Sequence, residues 1–408
     1  MKKFSNFLTE QKNTHMEHLE DAVLNGGVNG ARDAINLLRN LRDMLAGNSD
    51  SAVNVTVKWD GAPAVFAGID PADGEFFVAK KGLFAKNPKF YKSDDDVDAD
   101  TSGELASKLK LALKHLPELG ITSGVYQGDF LYSKDDLKTE TIEGEKMITF
   151  HPNTIVYTIP FSSDLGKTIR SSKLGIVWHT TYTGDSIENM TASFGKDIAG
   201  KLSTSRNVWS VDAHFSDVSG KATFTKKETD KITSLLSAAG KQFKRLDAST
   251  LNQISDDPDL LQKVKTHYNT KVRAGERVTN VSRHVKDLVN YITAFYVKEA
   301  DKRKTEKGKS VQYDKRDKIL KYFSTANKKN LEGIFTMMNY IIDAKDIIIA
   351  KLDQASTVGT FLKTVNGFEV TAPEGYVGID RKGGALKLVN RMEFSKANFS
   401  SDVIKGWS

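Results

Sequence analysis

Lys58-Trp59-Asp60-Gly61 combines residue types suited to covalent chemistry on a phosphate. It follows an alternating apolar stretch, Val53, Val55 and Val57, which predicts a β-strand running out at the lysine. A lysine amine in that position packs poorly, but it attacks a nucleotide α-phosphate well once nearby cations or partial desolvation lower its pKa. Gly61 would let the backbone come close to a bound phosphate. Taken alone, the tetrapeptide reads more readily as a surface lysine at a strand end, because so short a pattern recurs by chance. The residues that follow it in order along the chain carry the distinction.

The elements that must position this lysine are legible as periodicities. Residues 8–46 read as two helices, with Leu19, Val23, Ile35, Leu38 and Leu41 on an apolar stripe broken by Gly26-Gly27 and Gly30. His15 and His18 lie one helical turn apart, a spacing compatible with a metal, but no third ligand is signalled and they read as ordinary surface histidines. Strands are expected over 53–57, 64–68 and 75–79, the last two separated by the turn at 70–74. The acidic run Asp94, Asp95, Asp96, Asp98 and Asp100 reads as a solvated loop capping a helix at 103–116. Strands at 123–132, 146–150, 154–159 and 174–182 follow, with a short helix at 162–171. Residues 225–355 are expected to be mostly helical, with an exposed loop at 303–312, and strands return at 366–370, 376–380 and 385–390.

Composition sets the outer bounds. A chain of 408 residues with 39% hydrophobic and 27% charged residues fits a globular protein of two or three domains. No apolar run is long enough to span a bilayer, and residues 1–10 lack the apolar core of a secretory signal. There are no cysteines, which excludes thiol catalysis and zinc-thiolate sites and fits a reducing cytoplasm. The net charge of +7 is uneven: residues 221–330 hold 26 Lys and Arg against 13 Asp and Glu, a local balance of +13 that leaves −6 elsewhere. Such segregation points to a polyanion-binding module on a near-neutral body, or else to a lysine-rich solvated surface. Aromatics at Tyr268, Tyr291, Phe295, Tyr296, Tyr313, Tyr322 and Phe323 interleave with these cations and are candidates for base stacking or for core packing.

Read in order, the strand segments resemble the covalent nucleotidyltransferase superfamily of ATP-dependent DNA ligases, RNA ligases and capping guanylyltransferases. The resemblance covers about residues 53–182 and 366–396. Val57-Lys58-Trp59-Asp60-Gly61-Ala62 resembles the nucleotide-accepting motif, which makes Lys58 the nucleophile. Lys80-Lys81-Gly82 is similar to the next motif, with Lys81 where the family usually has arginine. Gly128-Asp129 stands where the family has glycine-glutamate, one methylene shorter. Trp178, in Gly175-Ile176-Val177-Trp178-His179-Thr180, matches the aromatic ring that stacks on the base. Glu374-Gly375-Tyr376-Val377 resembles the E-G-x-V motif, in the form found in RNA ligases. Lys387 matches the first lysine of the closing K-x-K strand, and Val389 occupies the place of the second, for which Arg391 or Lys382 are possible substitutes.

The resemblance implies an α+β protein in which an antiparallel-sheet nucleotidyltransferase (ligase adenylation) fold, residues 51–220 and 364–408, is interrupted by a basic helical insertion, 221–363. An N-terminal helical arm, 1–50, precedes it. It implies an ATP-dependent polynucleotide ligase working through a Lys58–AMP intermediate. Asp60, Gly61, Lys81, Asp129, Trp178, Glu374 and Lys387 would bind the nucleotide, and Glu374 and Asp129 would hold Mg²⁺ or Mn²⁺. The implied partners are RNA or DNA ends, with RNA favoured, and no membrane. The chain also resembles proteins of large tailed bacteriophages, which would place it in the host cytoplasm. Two other readings are a different nucleotidyltransferase, capping-like or protein-modifying, and a non-catalytic nucleic-acid-binding module on a decayed ligase scaffold.

Overall fold

The computed structural model describes residues 17–47, 54–194, 197–213, 223–354, 359–364, 367–371, 374–379, 385–399 and 402–406. His15 and Lys382 lie outside them. The glycine-marked turn separates helix α1 (Asp21–Asn25) from α2 (Gly27–Leu45). Gly30 is needed at this corner, since a Cβ would stand 1.9 Å from the carbonyl oxygen of Ala22. Strands β1 (Asn54–Lys58), β2 (Ala64–Ile69) and β3 (Phe76–Ala79) follow where the alternation placed them. The acidic run is a helix rather than the expected loop: α3 (Asp94–Asp100) starts at a capping box between Ser93 and Asp96. Carboxylates in its first turn complement the helix dipole.

Beyond α4 (Gly103–His115), the chain forms β4 (Val125–Ser133), β5 (Lys138–Ile142), β6 (Glu145–Phe150) and β7 (Ile155–Pro160). It continues through α5 (Asp164–Ser171), β8 (Leu174–Thr183), β9 (Thr191–Phe194) and β10 (Val208–Asp212). β5 escapes sequence detection because it is a mostly polar sheet-edge strand.

Six helices come next: α6 (Lys226–Arg245), α7 (Ala248–Asp256), α8 (Pro258–Arg273), α9 (Val281–Asp301), α10 (Glu306–Leu320) and α11 (Thr325–Asp353). The side chain of each N-cap residue, Thr225, Asp247, Asp257, Asn280, Thr305 and Ser324, accepts a backbone N–H. α10 overturns the expected loop at 303–312: it is polar nearly all round, so no apolar periodicity betrays it, and it buries only Gln312 and Ile319. The chain closes with β11 (Gly359–Thr364), β12 (Gly367–Val370), β13 (Gly375–Ile379), β14 (Ala385–Leu388) and α12 (Arg391–Phe399).

The result is an α+β architecture with three sheets, ordered β1-β13-β14, β10-β8-β4-β2-β3 with β9 on β8, and β12-β11-β7-β6-β5. Only β10 on β8 is parallel among the described strand pairs. α4 covers one face of the six-stranded sheet around Trp178, Ile176 and Leu109. Its other face meets the five-stranded sheet through Tyr132, Val177, Phe150 and Tyr157. The three-stranded sheet lies on the helical layer, with Val55, Tyr376 and Leu388 in one core with α2 and α6–α11. The N-terminal helices are therefore part of the helical layer and not a separate arm: Leu37, Leu38 and Leu41 pack in that same core. Among the described residues no helix is long and apolar enough to cross a membrane.

Candidate active site

Strand register assembles the site. In the antiparallel pairing of β1 with β13, Lys58 faces Gly375, so Glu374 lies beside it at the mouth of the sheet. β14 pairs Lys387 with Val377, and Val377 in turn pairs with Thr56. Side chains alternate across a strand, so Thr56, Lys58, Val377 and Lys387 share the face opposite the helical core. That face looks into a cleft also lined by Trp59, Asp129, Val177, His179 and Phe194.

Lys58, from the lining of this cleft, forms an ion pair with Glu374. The Glu374 side chain is only 8% exposed, and its second oxygen, Oε2, is buried without a hydrogen-bond partner among the described residues. Burial pushes its pKa up to about 7; Lys58 pulls against this, while the charges of Asp60 and Asp129 add to it. Lys387 is shifted the other way: burial lowers its pKa, as do the charges of Lys58 and Lys81, while Glu374 opposes them. Lysines 58, 81 and 387 and carboxylates 374 and 129 thus act on one another electrostatically. The neighbouring Lys80 is committed elsewhere, to Asp100 at 2.9 Å.

Gly375 is fixed by geometry. Its φ is +137°, and a Cβ would stand 2.7 Å from the carbonyl oxygen of Leu388. Gly61 is fixed by packing: a Cβ there would meet that of Asp129 at 2.5 Å. The close approach it permits within the chain is to β4. Asp60 likewise serves the scaffold. Its buried carboxylate accepts from Asn153 Nδ2 at 2.8 Å and from the backbone N–H groups of Thr154 at 2.6 Å and Ile155 at 2.9 Å. Its own N–H donates to Tyr157 Oη at 2.7 Å. These bonds lash the loop after Lys58 to β7.

Trp178 presents no exposed face on which a base could stack. It is 0% exposed and lies on the α4 side of the sheet, where Nε1 donates to Ser210 Oγ at 2.9 Å. The strand's alternation delivers Val177 and His179 to the cleft instead. His179 Nε2 is 3.8 Å from Asp129 Oδ2, and Nδ1 meets Thr180 Oγ1 at 2.7 Å. His179 is the residue that sequence reading missed; parity with Val177 was the available signal. The aromatic rings on the cleft are Phe194 and Trp59, the latter half-buried and held 4.9 Å from the Tyr157 ring.

Val389 is buried, and its carbonyl accepts from Lys345 Nζ at 2.7 Å. Arg391 does not take over the missing lysine's place: its guanidinium bonds Asp21 at 2.8 Å and Asn269 at 2.7 Å. His18 is half-buried beside β14, its pKa lowered to about 3 by burial and by the cations Arg391, Lys387 and Lys345. Among the described residues no three of His, Asp and Glu cluster at metal-binding spacing. Of the helical aromatics, Tyr268, Tyr296 and Phe323 are in the core, and Tyr291, Phe295 and Tyr322 pack against it. Their rings answer to the packing reading. Tyr313 alone of the seven lies outside that core and its packing shell, 5.0 Å under the Arg316 guanidinium.

Residues 13–403 match the model of a family described as a family of unknown function, DUF6267. Neither the curated proteins nor the solved structures give a match.

Proposed function

The chain belongs to DUF6267, and we propose that it is a covalent nucleotidyltransferase, an ATP-dependent polynucleotide ligase, that carries AMP on Lys58. One observation carries this reading: the Lys58 amine meets a buried, half-satisfied glutamate from the far end of the chain, on a sheet face that also presents Lys387. Nothing in ordinary strand packing calls for that arrangement, since burying a carboxylate with one oxygen unpartnered costs stability.

The chemistry follows from the residues. An amine must shed its proton before attack, and the Glu374 carboxylate is the acceptor in contact with Lys58. Lys58 Nζ then forms a bond to the α-phosphorus of ATP while the bond to the bridging oxygen breaks and pyrophosphate leaves. Lys387 and Lys81 offset the charge that gathers on the phosphate oxygens. Glu374 Oε2 and Asp129 suit Mg²⁺, which takes one or two carboxylates, keeps several waters and uses substrate oxygens for the rest. Bound there, the ion would supply Lewis-acid stabilisation of the phosphoryl group. Trp59, not Trp178, is the tryptophan whose ring lines the cleft and is available to a base. In the ligase sequence the AMP passes to a 5′-phosphate end, and a 3′-hydroxyl displaces it. α10, with Lys307, Lys315 and Lys318 exposed, offers a phosphate-tracking surface for that polynucleotide.

The test is direct. The protein is incubated with Mg²⁺ and ATP labelled at the α-phosphate, then resolved on a denaturing gel beside Lys58→Ala and beside a parallel GTP reaction. A labelled band that disappears in Lys58→Ala is expected with ATP. A band with GTP alone would move the assignment to a capping-type transferase. Salt-sensitive nucleic-acid binding without any band would leave a binding module.

A further inference from the structure

Lys387 is held from the far side of its strand by groups that the reaction itself does not use. Its backbone N–H donates to Glu17 O at 2.8 Å, and its carbonyl accepts from Leu19 N at 3.0 Å. Segment 17–19 thereby lies alongside β14, and His18 bridges Lys387 in parallel. The next residue, Glu20, is 1% exposed. Both of its oxygens accept from Lys345 Nζ at 3.0 Å. Lys345, on α11 and equally buried, sends its remaining bond to the Val389 carbonyl at 2.7 Å. The bonds close a ring from Lys387 through 17–19, Glu20 and Lys345 to Val389 and back to Lys387. Burial would raise the pKa of Glu20, but Lys345 and Arg391 outweigh it and hold the carboxyl low, so the ring is ionic. Arg391 stands 3.9 Å from Glu20 as a second counter-charge.

We propose that Glu20 and Lys345 are positioning residues for Lys387, with segment 17–19 as the strap that sets its place in the cleft. The proposal rests on the nucleotidyltransfer reading for its consequence, though not for its geometry. A buried ion pair anywhere can act as a folding staple. This one differs in that each end terminates within three residues of the lysine that faces the phosphate, and the lysine's own backbone groups are part of the ring.

The experiment uses the full chain. Lys345→Met alone leaves Glu20 buried without its partner and is prone to misfold, so the informative variant is Glu20→Gln with Lys345→Met, which removes both charges. Two readouts are taken: amide hydrogen exchange at Lys387 and Leu19, and the rate of Lys58 adduct formation across ATP concentrations. For a folded double variant we expect faster exchange at those two amides, a maximal rate down by about 10²-fold, as misplacement of a reacting group by about 1 Å costs, and an ATP KM changed by less than about two-fold, since uniform binding is untouched. A folded double variant with unaltered exchange and rate overturns the proposal and leaves a staple. If the unaltered chain forms no adduct, the nucleotidyltransfer reading fails. The exchange arm then still decides the strap: faster exchange at Lys387 and Leu19 supports it, and no change overturns it.

Discussion

Glu374 is asked both to stay buried and to hold charge, and these demands conflict. Folding raises its pKa from 4.5 to about 7. Across that interval the folded chain binds the proton more tightly than the unfolded chain. The stabilisation from this carboxyl is therefore complete below pH 4.5 and is lost as pH rises toward 7. A shift of this size corresponds to about 3 kcal/mol. Glu374→Gln, fixed in the neutral form, is expected to lack this part of the decline when urea-unfolding free energies are compared at about pH 5 and pH 7.5. Equal slopes for variant and parent would show that the carboxyl is not buried as described. Trp178 illustrates the opposite case at this scale: a residue that matched a motif by type proved to be core, while its neighbour His179 faces the cleft.

At the scale of elements, two of the motif glycines, Gly375 and Gly82, make different demands. Gly375 joins Glu374 to β13 with a φ of +137° and no room for a Cβ. Gly375→Ala is expected to cost on the order of 1–3 kcal/mol and to lower adduct yield by shifting the Glu374 carboxylate away from Lys58. Gly82, after Lys81, has room to spare: a Cβ there would meet Lys89 Cβ at 3.6 Å, an ordinary van der Waals distance. Gly82→Ala should therefore fall within about 0.5 kcal/mol of the parent in stability. Denaturant midpoints and adduct yields for both variants check the pair. Full stability without adduct at Gly82→Ala would reveal a ligand approach there. A Gly375→Ala protein of parental stability would refute the strand register. α3 and α10 mark where sequence reading failed on whole elements. Both are helices set by side-chain caps on polar segments, and hydrophobic periodicity is silent about such helices.

At the scale of the molecule, the positive charge sits on the helical layer and the site lies on the other face of the sheet which that layer supports. α10 is the most exposed basic helix of that layer. Replacing Lys307, Lys315 and Lys318 on it, and Lys304 just before it, by Gln is expected to weaken polynucleotide binding. The log–log salt dependence should also flatten, by up to about 0.9 for each duplex phosphate that is no longer neutralised. Formation of the Lys58 adduct with free ATP should be unchanged, because none of the four lies in the cleft. Binding isotherms at several salt concentrations, beside the gel assay, test this. An unaltered salt slope would move the polyanion surface away from α10.

The sequence by itself determined which residues could do chemistry and the strands they would stand on. Alternation and turn composition are local signals, and Lys58, Asp129, Glu374 and Lys387 are all found at or beside strands where those signals put them. Only the tertiary structure decided what each faces and touches. Pairing β1 with β13 brought Glu374 to Lys58; sheet packing turned Trp178 inward and His179 outward; and the descent of Glu17–Leu19 onto β14 tied the N-terminal segment to Lys387. These outcomes depend on contacts between residues far apart in the chain, and no local periodicity encodes them.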